Sequence, residues 1–332
     1  MLASIRIDWR VAVTLALLLL LVGCAGPSHM ASLPAGLPSR AELTATPFYP
    51  QTEHQCGPAA LATVLGAAGH AVEPGALAAE VYLPGREGTL QPELAAAVRA
   101  RGLLAYEVGP GLDDILAEVA AGRPVLVLQR LGAGPWPSWH YAVVVGYDQR
   151  NGQVLLRSGT QDRLAMHASL FDATWERGGR WALVVLEPGT LPAHPDLARY
   201  MQAAAALEAA PNPEAAEKAY ESAARLWPQE PLPRLGLGNV AAARGDWREA
   251  EGWYAAALLE DPSQAAALNN RAEALQRLGC AETARLSLQQ GMRHVAAGDP
   301  LRPALEQAAR DSAARSAGSA ADPAECTQFT TR

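Results

Sequence analysis

The 332-residue sequence is poor in cysteine (four residues), in aromatic residues (6%) and in charge (18%), and its apolar runs are short. The four cysteines, at 24, 56, 280 and 326, are too few and too scattered for a disulfide scaffold, and no CxxC pair offers zinc ligands. No basic run occurs, and a net charge of −7 excludes a nucleic-acid binder that works through a general positive field. The longest apolar run, Val11–Val22, falls short of the ~20 residues that a spanning helix needs. No metal or other cofactor is expected. What is present is a hydrophobic content of 49%, too high for a disordered chain, in a length that predicts two globular modules.

Arg6 and Arg10 precede the Val11–Val22 run as the basic and apolar regions of a secretory signal. The run ends in Leu21-Val22-Gly23-Cys24, which resembles the lipobox of bacterial lipoproteins. That resemblance implies a signal peptide over 1–23 and a lipidated Cys24 that ties the mature chain to a membrane. With Ala25 and Gly26 following and no Asp beside the cysteine, it points to the periplasmic side of the outer membrane. Residues 24–42, rich in Pro, Ser, Gly and Ala, are expected to be a tether.

The first module is placed at 43–190. Its first marker is Gln55-Cys56-Gly57-Pro58, followed by Ala59-Ala60-Leu61-Ala62-Thr63-Val64-Leu65. Pro58 suits the first turn of a helix, Ala and Leu propagate it, and Gly66 and Gly69 end it. Cys56 therefore stands at a helix N-terminus, where exposed N–H groups favour an anion and pull a thiol pKa toward the reactive range. Further helices are predicted over Gln91–Arg101 and Leu112–Ala121. After Gly122 the texture turns to strands at Pro124–Leu128, Trp139–Tyr147, Gln153–Arg157 and Trp181–Leu186, with Asn151-Gly152 as a hairpin turn. Helices followed by an antiparallel sheet make an α+β domain.

His140 opens the second of these strands, between Trp139 and Tyr141, where a ring can be held rigidly against a cleft. A thiol nucleophile requires such a base. The other histidines lie in loops or in the second module, and His54 is the one near enough to Cys56 to compete.

Together, Cys-Gly-Pro-Ala-Ala-Leu, the Gly88-Thr89 turn, the Gly122-Arg123-Pro124 step and His-Tyr-x-Val-Val-x-Gly-Tyr-Asp resemble the papain-fold bacteriocin-processing (double-glycine) cysteine peptidases, in their stand-alone branch. The resemblance covers about residues 45–188 and implies a papain-like fold. It implies Cys56 as nucleophile, His140 as base and Gln51 as oxyanion donor, Gln51 being one residue nearer the cysteine than the family's spacing. The family places an Asp or Asn at the end of the strand after the histidine, to orient its ring. Here that position is Ser158, which can bond the ring but cannot neutralise an imidazolium; Asp162 lies close in sequence.

From Leu191 alanine dominates and a fixed period emerges: Pro228 and Pro262, Gly245 and Gly279, and Tyr220 and Tyr254 are each 34 residues apart. This is the tetratricopeptide period. Three repeats, 197–230, 231–264 and 265–298, predict an all-α solenoid over 191–310 with a groove for a protein partner. The segment 311–332 is expected to be a disordered tail. Cys280 and Cys326 could pair in an oxidising compartment.

The expected function is peptide-bond cleavage by a lipid-anchored cysteine peptidase acting through a Cys–His acyl-enzyme, with the repeats recruiting substrate or partner. The alternatives are a catalytically silent peptide-binding adaptor, or a Cys–His acyltransferase or cell-wall amidase.

Overall fold

The computed structural model describes residues 36–51, 55–132, 138–209, 212–317 and 324–329. The signal peptide, Cys24, most of the expected tether and His54 lie outside them.

Among the described residues seven strands form one sheet: β1 (Arg40–Glu42), β2 (Leu104–Glu107), β3 (Val125–Leu131), β4 (Ser138–Asp148), β5 (Gln153–Ser158), β6 (Gln161–His167) and β7 (Ala182–Leu186). Their order is β2-β7-β3-β4-β5-β6, with β1 beside β4, and every pairing is antiparallel. The turn between β4 and β5 needs Gly152, whose φ of 61° is left-handed, and Asp148 accepts from the backbone N–H of Arg150 and Asn151.

Both faces of the sheet's central strands are buried, which is why β3 begins Val-Leu-Val-Leu rather than alternating with polar residues. On one face Leu126 and Leu128, with Tyr141 and Val143 of β4, pack against α1 (Cys56–Ala67), α2 (Pro74–Val81) and α3 (Gln91–Arg99). On the other, Val125, Val127, Ala142 and Val144 pack against Ile115 and Leu116 of α4 (Leu112–Ala120) and Phe171 and Trp175 of α5 (Ala168–Arg177). Each fully buried side chain of this size contributes ~1.5–3 kcal/mol relative to exposure.

An all-α region follows, built of α6 (Leu197–Glu208), α7 (Pro213–Leu226), α8 (Pro231–Ala243), α9 (Trp247–Glu260), α10 (Ala265–Arg277), α11 (Ala281–Gly291) and α12 (Arg302–Ala317). Aromatic rings press on glycines between these helices. A Cβ on Gly236 would meet the Tyr220 ring at 2.4 Å, and one on Gly238 the Tyr254 ring at 2.3 Å. The core does not break at residue 190. Tyr106 of β2 faces Tyr200 of α6 with ring centroids 6.4 Å apart, and Tyr200 in turn faces Trp227 at 6.0 Å.

Two expectations are corrected. The end of the expected tether is part of the sheet: Arg40, Ala41 and Glu42 pair with Asp148, Tyr147 and Gly146. They pair with the last three residues of β4, beyond the reach of β3, which pairs with β4 only as far as Val144. Nor is the described part of 311–332 a disordered tail. Helix α12 runs to Ala317, and Ala324–Phe329 forms a 3-10 turn joined to the start of α11 by a Cys280–Cys326 disulfide. Composition could not show this, because what holds the segment is the disulfide, the buried Phe329 ring and polar contacts from Arg248 and Arg271, all to residues far away in sequence.

Candidate active site

Cys56 is the first residue of α1, and Gln55 before it gives no side-chain cap. The first helical bond runs from the Ala59 N–H to the Gln55 carbonyl, and Pro58 has no N–H. The Cys56 and Gly57 amides are therefore the donors that the helix start leaves over. Gly57 is required by a close approach: a Cβ there would lie 2.7 Å from Thr89 Cβ and 2.8 Å from Thr89 Oγ1. Thr89 thus forms a wall directly beside Gly57, the neighbour of Cys56, and the Tyr141 hydroxyl donates to its carbonyl at 3.2 Å.

Cys56, Gln51, His140, Tyr141, Gly159 and Thr89 all line one cavity of about 770 Å³. Half-buried Cys56 is the free thiol among the described cysteines. His140 enters from the start of β4, and its Nε2 lies 2.9 Å from Ser158 Oγ at the end of β5. With Nε2 engaged there, Nδ1 is the ring nitrogen left to exchange a proton with a thiol. Burial holds the His140 pKa below its ordinary value of 6.5. Tyr141 is pushed upward, by burial first and then by the charges of Cys56 and Glu93.

Gln51 is fixed at both ends of its amide. Its Nε2 donates to the Tyr141 carbonyl at 3.3 Å, and its Oε1 accepts from the Gly159 N–H at 3.2 Å. Its own backbone N–H donates to the Gly159 carbonyl at 3.0 Å. One N–H of the amide is thus spoken for, while a carboxamide carries a second.

The structure thus gathers Cys56, His140 and Gln51 around one cleft, with Ser158 hydrogen-bonded to His140. Asp162 is on β6, exposed, and among the described hydrogen bonds its carbonyl accepts from Arg157 while none joins it to His140. Two residues that the sequence reading named without giving them a place at the site are Thr89 and Tyr141. The Gly88-Thr89 turn was visible, but its pressure on Gly57 is a contact between distant segments.

The model of the Peptidase_C39 like family matches residues 43–182. A chain described as a C39-like peptidase from Bacillus anthracis is similar at 20% identity, covering 44% of this chain and 97% of that one, with a TM-score of 0.38. The peptidase domain of Streptococcus ComA, a bi-functional ABC transporter involved in a quorum sensing pathway, is similar at 20% identity over 42% of this chain and 98% of that one (TM-score 0.35). The type III secretion translocator chaperone SycD of Yersinia enterocolitica is similar at 19% identity over 37% of this chain and 84% of that one (TM-score 0.34). No curated protein matches the chain. The family match gives the first region a papain-like C39 peptidase fold, a cysteine-peptidase type of fold, with the all-α region following it.

Proposed function

We propose that the chain is a cysteine peptidase. The observation that carries this reading is the placement of Cys56, His140 and Gln51 on one cavity, with Ser158 holding the far side of the imidazole. His140 Nδ1 takes the Cys56 proton, and the thiolate attacks a peptide carbonyl. The oxyanion is met by the Cys56 amide and the free N–H of Gln51; such a donor typically contributes ~3–4 kcal/mol. Collapse of the intermediate breaks the C–N bond as His140 returns its proton to the leaving amine. Water, deprotonated by the same ring, then hydrolyses the thioester and restores the thiol.

The surroundings of this reaction belong to the same proposal. Cys24 carries the lipid that holds the protein to the periplasmic side of the outer membrane, and no helix among the described residues is long and apolar enough to cross a membrane. Helices α6–α11 are three tetratricopeptide repeats that recruit substrate or a protein partner. The 34-residue spacing of Tyr220 and Tyr254, both seated on glycines, supports this.

An electrophilic peptide probe should label Cys56, and His140→Ala should suppress labelling. Cys56→Ser and His140→Ala should each abolish peptide turnover, with the double variant little worse, because members of one catalytic unit are not additive. Labelling of Cys56 without turnover of any peptide would favour the silent adaptor, which the serine in the orienting position also favours.

A further inference from the structure

Trp139 stands immediately before His140 at the start of β4. Ser138 through Tyr141 all line the cavity, so it wraps around both faces of the strand end. Trp139 leaves 56% of its surface exposed, and among the described residues it is the one aromatic in the set of exposed large hydrophobic side chains. Leu90, 40% exposed, lines the same cavity from the segment that also supplies Thr89. An indole left this open forgoes much of the stabilisation that its large apolar area would give if covered.

The ring is nevertheless held in place. Trp139 lies opposite Arg130 in the β3–β4 register, and the Arg130 guanidinium is 5.8 Å from the indole centroid. A cation at that distance over a ring is attracted to its face, which leaves the other face free.

We propose that Trp139 is a specificity-determining residue of the peptidase reaction described above. Its indole seats a large apolar side chain on the residue that follows the cleaved bond, so the substrate is an extended peptide carrying an aliphatic or aromatic residue there. The chemistry of His140 assigns the side. To protonate the leaving amine, the ring must come within hydrogen-bond reach of that nitrogen. The nitrogen belongs to the residue after the bond, whose side chain begins two bonds away. Trp139 is one residue from His140, so its Cα is ~3.8 Å from that of the proton donor. The acyl side of the substrate extends instead over Cys56, toward Thr89 and Leu90.

The inference rests on the peptidase reading, and one experiment separates the two. The full chain is incubated with a mixture of internally quenched peptides that differ only in the residue after a common bond, and products are identified by mass. Wild type should prefer Leu, Phe or Trp over Gly there by about tenfold or more in kcat/KM, the range that apolar pocket contacts supply. Trp139→Ala should collapse that ratio toward one, chiefly through KM, and Trp139→Phe should keep most of it. Labelling of Cys56 by iodoacetamide, followed in all three proteins, shows that the site is folded. A flat wild-type profile, or a preference that survives in Trp139→Ala, overturns the subsite while the peptidase stands. Cleavage of no peptide at all overturns the peptidase reading and the subsite with it.

Discussion

Ser158 Oγ lies 2.9 Å from His140 Nε2, where the resemblance to papain-fold peptidases calls for a carboxylate or an amide. A hydroxyl fixes the ring by one hydrogen bond but adds no charge to balance an imidazolium. Ser158→Ala should therefore lower kcat/KM by about 2–10-fold, the equivalent of one net hydrogen bond of ~0.5–1.5 kcal/mol. Ser158→Asp should hold the rate or raise it by up to about tenfold, ~1.4 kcal/mol. A loss of activity in Ser158→Asp comparable with His140→Ala would show that Ser158 does not orient the ring.

The depressed pKa of His140 gives a pH dependence of defined sign. Its cause is burial, which disfavours the charged ring in the folded state. As pH falls through the ordinary value of 6.5, the unfolded chain takes up this proton before the folded one does. The contribution of His140 to stability is thus complete above that value and is lost as pH drops toward the folded pKa. Urea midpoints between pH 7.5 and 5 should fall less steeply in His140→Gln than in wild type. In Cys56→Ser, the His140 ring resonances should titrate below 6.5, and Ser158→Asp should move that midpoint upward.

Gly57 and Thr89 offer a test of the wall beside Cys56. An alanine at 57 brings its Cβ to 2.7–2.8 Å from the Thr89 side chain, a distance at which one segment must move. Gly57→Ala should cost ~1–3 kcal/mol of stability, the usual range for overpacking. It should also cut turnover, because the residue that shifts adjoins Cys56. Adding Thr89→Gly removes the obstructing atoms and should return a large part of both losses. Additive effects in the double variant would mean that the two residues do not press on one another.

How much of this could be read beforehand follows from whether the signal was local. Cys56 at a helix start, the Asn151-Gly152 hairpin and the strand carrying His140 are written in consecutive residues. Strand β6 is not: its residues are mostly exposed and polar, and it is a strand because β5 offers it an edge, with Val154 opposite Met166 and Leu156 opposite Leu164. Strand β1 likewise exists through its pairing with β4, more than a hundred residues later. Helix α5 did carry a local signal, Phe171 and Trp175 four residues apart, which the surrounding strand-like runs obscured. The turn at 324–329 had a cysteine and a phenylalanine as its only clues, and both act through residues far away in sequence.

Arg271 and Glu251 are the last test, because they tie that C-terminal turn to the helices. The helical period puts Arg271 at the place that Leu237 fills one repeat earlier, a buried apolar position. An arginine survives there because its partners are buried with it. Its Nε donates to Glu251 Oε1 at 2.8 Å, Nη1 to Ser287 Oγ at 3.2 Å, and Nη2 to the Phe329 carbonyl at 3.0 Å. The Glu251 side chain is 0% exposed and that of Arg271 9%. Removing one member strands the other charge, so Arg271→Leu should destabilise the chain by ~3–5 kcal/mol in urea unfolding followed by far-UV circular dichroism. Removing both, as Arg271→Leu with Glu251→Leu, should recover most of that loss, since apolar residues can replace a buried pair at little cost. The double variant still lacks a donor for the Phe329 carbonyl. Its Cys280–Cys326 disulfide, which closes a sequence separation of 46, should be reduced by dithiothreitol faster than in wild type. Cys326→Ser should cost ~2–4 kcal/mol by loss of that cross-link. An Arg271→Leu chain as stable as wild type, with an unchanged reduction rate, would show that the pair does not hold the turn.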